Sequence, residues 1–129
     1  MLSSALQVRR VKVLIADDDR LVRTMVADLL AELGHEVVAA GSGPEAVELA
    51  AREAPDLLVL DFLMPRLSGL DALRAIREAG SRAPAVLLTA ISGRSVRGVE
   101  GADAAEVVLE KPVTRKALAR ALERAVRAR

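Results

Sequence analysis

The chain has 129 residues, a net charge of +1 and no cysteine, which excludes a disulfide framework, a thiolate metal site and a basic footprint for nucleic acid spread over the whole domain. Hydrophobic residues make up 52% of it and aromatics only 1%, so a core must be built from Leu, Val, Ala and Ile. The length fits one ordinary domain, and no run is long and apolar enough to span a bilayer.

Residues 1–10, MLSSALQVRR, form an expected N-terminal tail before a domain over 11–129. Their apolar run is too short for a signal peptide and its charges follow rather than precede it, so a cytoplasmic protein is expected. Val11–Ala16 is the first short run of strand character, and it closes on Asp17-Asp18-Asp19. Asp19 suits the N-cap of a first helix whose stripe is Val22, Met25, Val26, Leu29 and Leu33, with Gly34 as its stop. His35 follows as an exposed turn residue without catalytic work. The second strand, Glu36–Ala40, ends on nothing reactive. A capping box from Ser42 to Glu45, with Pro44 in the first turn, opens the second helix.

The third strand, Asp56–Leu60, ends abruptly on Asp61, and a helix runs from Ser68 to a terminating Gly80. The fourth strand, Ala83–Leu88, leads into Thr89-Ala90. Gly93, Gly98 and Gly101 make the fourth helix the weak one, expected to be short, frayed or mobile. The fifth strand, Glu106–Leu109, leads into Glu110-Lys111-Pro112, and a last helix starts near Thr114 with Leu118, Leu122 and Val126 inward. Its basic face (Arg115, Lys116, Arg120, Arg124) is either a solvated surface or a partner surface.

Strands without polar alternation, each followed by a helix, predict an α/β fold: an open, doubly wound sheet of parallel strands with right-handed crossovers. Ligands of such sheets bind outside the carboxyl ends of the strands. If strands one, three, four and five are neighbours, Asp17, Asp18, Asp61, Thr89 and Lys111 share one rim. Crowded carboxylates raise one another's pKa unless a cation intervenes, and an all-oxygen donor set selects a hard ion, Mg²⁺ above all. A carboxylate beside that ion can attack phosphorus, while Lys111 and the Thr89 hydroxyl hold the transferring oxygens and small Ala90 leaves room.

The stretches VLIADDD, LVLDFLMPRLSGLDAL, LLTA and LEKP, in this order and at these separations, closely resemble the receiver domain of two-component response regulators, from about Val11 to Val126. The resemblance implies a flavodoxin-like, five-stranded sheet of order 2-1-3-4-5 with helices on both faces. It implies that Asp61 accepts a phosphoryl group from a histidine kinase or phosphotransfer protein. Asp17, Asp18 and Asp61 would hold Mg²⁺ with the Leu63 carbonyl as a backbone ligand. Thr89 and Lys111 match the switch hydroxyl and the phosphate-pairing lysine, and Lys111-Pro112 matches the family's cis peptide. A downstream protein partner is expected through the fourth helix, fifth strand and fifth helix, with no direct contact to nucleic acid or membrane.

Two positions depart from the family pattern. Val108 stands where a switch aromatic is usual, and Val113 follows Lys111-Pro112 where Phe is common, so no swinging aromatic carries the readout. Val107 stands where one dimerising subgroup has an acid. Absence of a linker after Arg129 leads us to expect a stand-alone protein, the alternative being a receiver excised from a DNA-binding regulator or hybrid kinase. A turnover phosphatase with an Asp nucleophile is a weaker rival, because the second carboxylate it needs two residues on is Leu63. A flavin or dinucleotide carrier would need a glycine-rich loop after the first strand, which is missing.

Overall fold

Five short strands pair in parallel: β1 (Lys12–Ala16), β2 (Glu36–Ala40), β3 (Leu57–Asp61), β4 (Ala85–Thr89) and β5 (Val107–Glu110). Their order in the sheet is β2-β1-β3-β4-β5, as the family resemblance implies. Between and after them run α1 (Arg20–Glu32), α2 (Gly43–Glu53), α3 (Gly69–Glu78), α4 (Gly93–Arg97) and α5 (Arg115–Arg127). The structure is a computed structural model that describes residues 10–128, so the expected N-terminal tail lies outside the described residues except for Arg10.

Both faces of the sheet are covered, which is why its strands lack polar alternation. Leu57, Val59, Val86 and Leu88 pack with Val26, Leu30, Leu118 and Leu122 on the side of α1 and α5. Leu58, Leu60 and Leu87 turn the other way and pack with Leu49, Leu73, Ile76 and Val96 of α2, α3 and α4. Burying each such side chain stabilises the fold by about 1.5–3 kcal/mol, so two aliphatic layers suffice without aromatics.

The helix ends follow local chemistry. Asp19 Oδ1 accepts hydrogen bonds from the Leu21 and Val22 amides at 2.9 and 3.3 Å, as an N-cap should. Ser42, Ser68 and Thr114 cap α2, α3 and α5 in the same way through the amides of Glu45, Asp71 and Ala117. The capping box of α2 is shifted, since Glu45 Oε1 takes the Gly41 amide at 2.7 Å. Gly34 and Gly80 end α1 and α3 with φ of +96° and +107°, which an L side chain rarely adopts. The glycine-rich fourth segment forms only the five-residue α4, followed by a turn and a single 3₁₀ turn at Ala102–Ala104.

Several expectations are corrected. Met25 is exposed and Leu30 is buried, because the stripe of α1 centres on Val26 and Leu30, with Val22, Leu29 and Leu33 half-buried beside them and Met25 beyond its edge. At the end of α5 Ala125 is buried and Val126 exposed. His35 is not an exposed turn residue: it is 7% exposed, and its Nδ1 accepts the Val11 amide at 3.3 Å. The amide ahead of β1 has no strand partner for its donor, and the imidazole supplies one. Burial lowers the His35 pKa, which keeps that nitrogen an acceptor. Strands β3, β4 and β5 each run one residue further than expected, to Asp61, Thr89 and Glu110. Backbone bonds from Phe62 to Leu88 and from Lys111 to Thr89, both 2.7 Å, continue the ladder past them.

Candidate functional site

Because β1, β3, β4 and β5 are neighbours, their carboxyl ends bring Asp17, Asp61, Thr89 and Lys111 to one rim. The Asp17 amide bonds to the Ala40 carbonyl at 3.2 Å, and its side chain is fully buried. Its Oδ1 accepts the Asp19 amide at 2.9 Å, and its Oδ2 faces the Lys111 ammonium at 3.2 Å. Asp61 Oδ1 stands 3.3 Å from the same ammonium. Asp18 is exposed beside them, and one carboxylate oxygen from each of Asp17, Asp18 and Asp61 lies within 4.8 Å of the others. Among the described residues this is the one group of side chains placed so that it could hold a metal ion. Its donors are all oxygen and partly buried, which fits a hard divalent cation.

Thr89 is buried at 1% exposure, and its hydroxyl accepts the Ile91 amide at 3.0 Å. The Lys111–Pro112 peptide is cis, as the resemblance implies. Leu63, whose carbonyl completes the expected cation set, lies in the loop after Asp61 and is 60% exposed. His35 belongs to the opposite end of the sheet, ahead of β1, and is not brought to the rim.

Charge and burial work against each other here. Burial first, then the Asp17 carboxylate, push the Asp61 pKa up to about 6, while Lys111 pulls it down. Burial would lower the Lys111 pKa, but Asp17 and Asp61 together outweigh it and raise it. The rim is thus short of positive charge by itself, and a cation or a proton is what relieves it.

Three supporting residues escaped the sequence reasoning. A Cβ on Gly69 would collide with the Asp61 carbonyl oxygen, and its amide bonds to the Phe62 carbonyl at 2.9 Å. Gly69 therefore lets α3 begin directly against the end of β3. The only signal for it was a glycine just inside a capped helix. Arg23 Nη1 donates to the Asp17 carbonyl at 2.8 Å, and Glu110 Oε2 accepts the Gly93 amide at 2.8 Å. Neither contact has a signature in sequence spacing.

Known proteins resemble the chain in sequence and in fold. The family described as the response regulator receiver domain matches residues 13–123. Response regulator MprA of Mycobacterium leprae is 45% identical over 102 residues, covering 78% of this chain and 44% of its own length. Transcriptional regulatory protein PdtaR of Mycobacterium tuberculosis is 44% identical over 117 residues, covering 89% of this chain and 56% of its own. The chain thus spans about half the length of these relatives. Among solved structures, the Vibrio cholerae chemotaxis protein CheY4 superposes with a TM-score of 0.83 at 30% identity, over 90% of this chain and 98% of that one. A response regulator receiver domain protein from Clostridium thermocellum gives 0.79 at 29%, over 90% and 94%.

Proposed function

This chain belongs to the response regulator receiver domain family, and from that premise we propose that it accepts a phosphoryl group on Asp61 and thereby changes its affinity for a protein partner. One observation carries the reading: Asp61 ends β3 within 4.8 Å of the Asp17 and Asp18 carboxylates and 3.3 Å from the Lys111 ammonium. Asp17, Asp18, Asp61 and the Leu63 carbonyl are the groups that would hold Mg²⁺. When bound, the ion would offset the repulsion between these carboxylates and an incoming phosphoryl group.

The donor in this reading is a phosphohistidine. An Asp61 oxygen attacks its phosphorus, the P–N bond breaks as the P–O bond forms, and the imidazole keeps the electron pair and takes up a proton. Lys111 moves its ammonium onto the phosphoryl oxygens. The Thr89 hydroxyl accepts from Ile91, so its own proton is available to a phosphoryl oxygen. Leu21, 81% exposed, and Met25 lie one turn apart on α1 near the rim and suit docking by a histidine kinase or phosphotransfer protein. The downstream partner would use α4, β5 and α5. The proposed setting is the cytoplasm, and the proposed extent of the domain is 11–129. Among the described residues no helix is long and apolar enough to cross a membrane.

The protein in this reading is a signalling domain rather than a turnover enzyme, since Leu63 offers no acid two residues beyond the acceptor. Incubation with acetyl phosphate and Mg²⁺ should add one phosphoryl group by intact mass. Asp61→Asn, or wild type in chelator, should add none. Equal labelling of wild type and Asp61→Asn would end the proposal.

A further inference from the structure

Asp18 is the exposed member of the carboxylate trio, and among the described residues no hydrogen bond holds its side chain. A cation nevertheless needs all three carboxylates aimed at one point. The direction of Asp18 is therefore set by the backbone on either side of it. Asp19 is fixed on one side, since its amide donates to Asp17 Oδ1 and its carboxylate caps α1. On the other side the Asp17 amide donates to the Ala40 carbonyl, and the Asp17 carbonyl accepts Arg23 Nη1 at 2.8 Å. That carbonyl and the Asp18 amide belong to one planar peptide unit. Holding the oxygen thus sets the direction in which the chain enters Asp18.

Arg23 is placed for this contact by its own surroundings. It is the fourth residue of α1, and side chains on a helix lean toward its N-terminus, which returns the guanidinium to the loop. A Cβ built on Gly41 would stand 3.2 Å from Arg23 Nη1, so the half-buried arginine lies against the end of β2, where a glycine leaves it room. The Gly41 amide donates to Glu45 Oε1 at 2.7 Å, which fixes that wall of the slot. Charge by itself disfavours the place, since a guanidinium repels a divalent cation held nearby. The directed hydrogen bond is what the position offers.

We propose that Arg23 is a positioning residue of the cation site: by holding the Asp17–Asp18 peptide it aims the Asp18 carboxylate at the point it shares with Asp17 and Asp61. The proposal deepens the preceding reading and rests on it for the identity of the ion, Mg²⁺.

The test is the Mg²⁺ dissociation constant of the whole chain, read from amide shifts as the ion is added. Wild type is compared with Arg23→Met, Arg23→Lys and Arg52→Met. Methionine keeps an apolar stem without a donor, and lysine keeps the charge with a single point donor. Arg52, whose partners are Glu48 and Glu53, is the charge control. Arg23→Met should bind Mg²⁺ at least about tenfold more weakly, the loss usual for a group that orients a metal ligand. Arg23→Lys should fall between Arg23→Met and wild type, and Arg52→Met should match wild type. Loss of a nearby cation alone would tighten Mg²⁺ binding, so the sign of the change separates positioning from electrostatics. A merely structural role would lower the melting temperature in chelator and leave the Mg²⁺ affinity of the folded protein unchanged. Arg23→Gln, shorter and neutral, should lose as much as Arg23→Met and carries the test if that variant does not fold. Affinity in the neutral variants equal to or tighter than wild type, an equal loss in Arg52→Met, or a wild type that holds no Mg²⁺ would overturn the proposal. A wild type that holds Mg²⁺ through Arg23 but gains no phosphoryl group from acetyl phosphate would end the receiver reading and leave this inference standing.

Discussion

At Asp61 burial and charge set the protonation of the fold. Its pKa in the folded chain, about 6, lies above the ordinary 3.8, so between those values the folded state binds more protons than the unfolded one. The stability that this group contributes is then fully present below about pH 4 and is lost as pH rises through about 6. Each pKa unit corresponds to ~1.4 kcal/mol, so the loss from this group is roughly 2–3 kcal/mol. In chelator, Asp61→Asn should melt above wild type at pH 7 and converge with it near pH 4; parallel melting curves across that range would contradict the assignment. A second expectation concerns hydrolysis. Leu63 and Ile91, two residues past Asp61 and Thr89, are 60% and 44% exposed and cannot orient water by hydrogen bonding. An acyl phosphate at Asp61 should persist longer than in a Leu63→Asn, Ile91→Glu double variant, since each ~1.4 kcal/mol of barrier is a tenfold change in rate. Phosphate loss that is equal or faster in wild type refutes this.

Among the elements, α2 ends less comfortably than its neighbours. Its last turn passes into Ala54 at φ +46°, a left-handed conformation that costs a non-glycine residue about 1–2 kcal/mol. Ala54→Gly should remove that strain and return part of it as unfolded-state entropy, for a net gain of about 0.5–1 kcal/mol. Thermal melting should shift up by roughly 2–5 °C; a downward shift would show that the Ala54 methyl contributes more by packing than it costs. Helix α4 is the opposite case, a five-residue helix held by buried Val96 and by the Glu110 carboxylate on the Gly93 amide. So short a helix cannot persist by propensity alone. Tertiary contacts hold it.

For the whole molecule, the sheet joins the rim to its outer edge strand and the helices beside it. Thr89 ends β4 just ahead of α4, and Lys111 follows β5 just ahead of α5, so both lie between Asp61 and the outer edge of the sheet. Thr89→Ala and Lys111→Ala should still take phosphate but transmit it poorly. In wild type, beryllofluoride should move amide signals mainly between Thr89 and Ala105 and near Val108. Wild-type-like shifts at those positions in both variants would count against this route.

The amino-acid sequence by itself determined the alternation of strand and helix, the caps at Asp19, Ser42, Ser68 and Thr114, and the glycine stops. These depend on neighbours within a few residues, and short-range chemistry is written in short stretches. It also marked Asp17, Asp18, Asp61, Thr89 and Lys111, because each follows or ends an apolar run where a parallel sheet opens to solvent. What those residues do to one another was decided only by tertiary structure. The Asp61 pKa depends on burial and on Asp17 and Lys111, which are brought beside it from β1 and the end of β5. His35 and Glu110 likewise took their places from partners 24 and 17 residues away in the chain. Periodicity identifies a face of an element, but only packing decides which atoms meet across the gaps between elements.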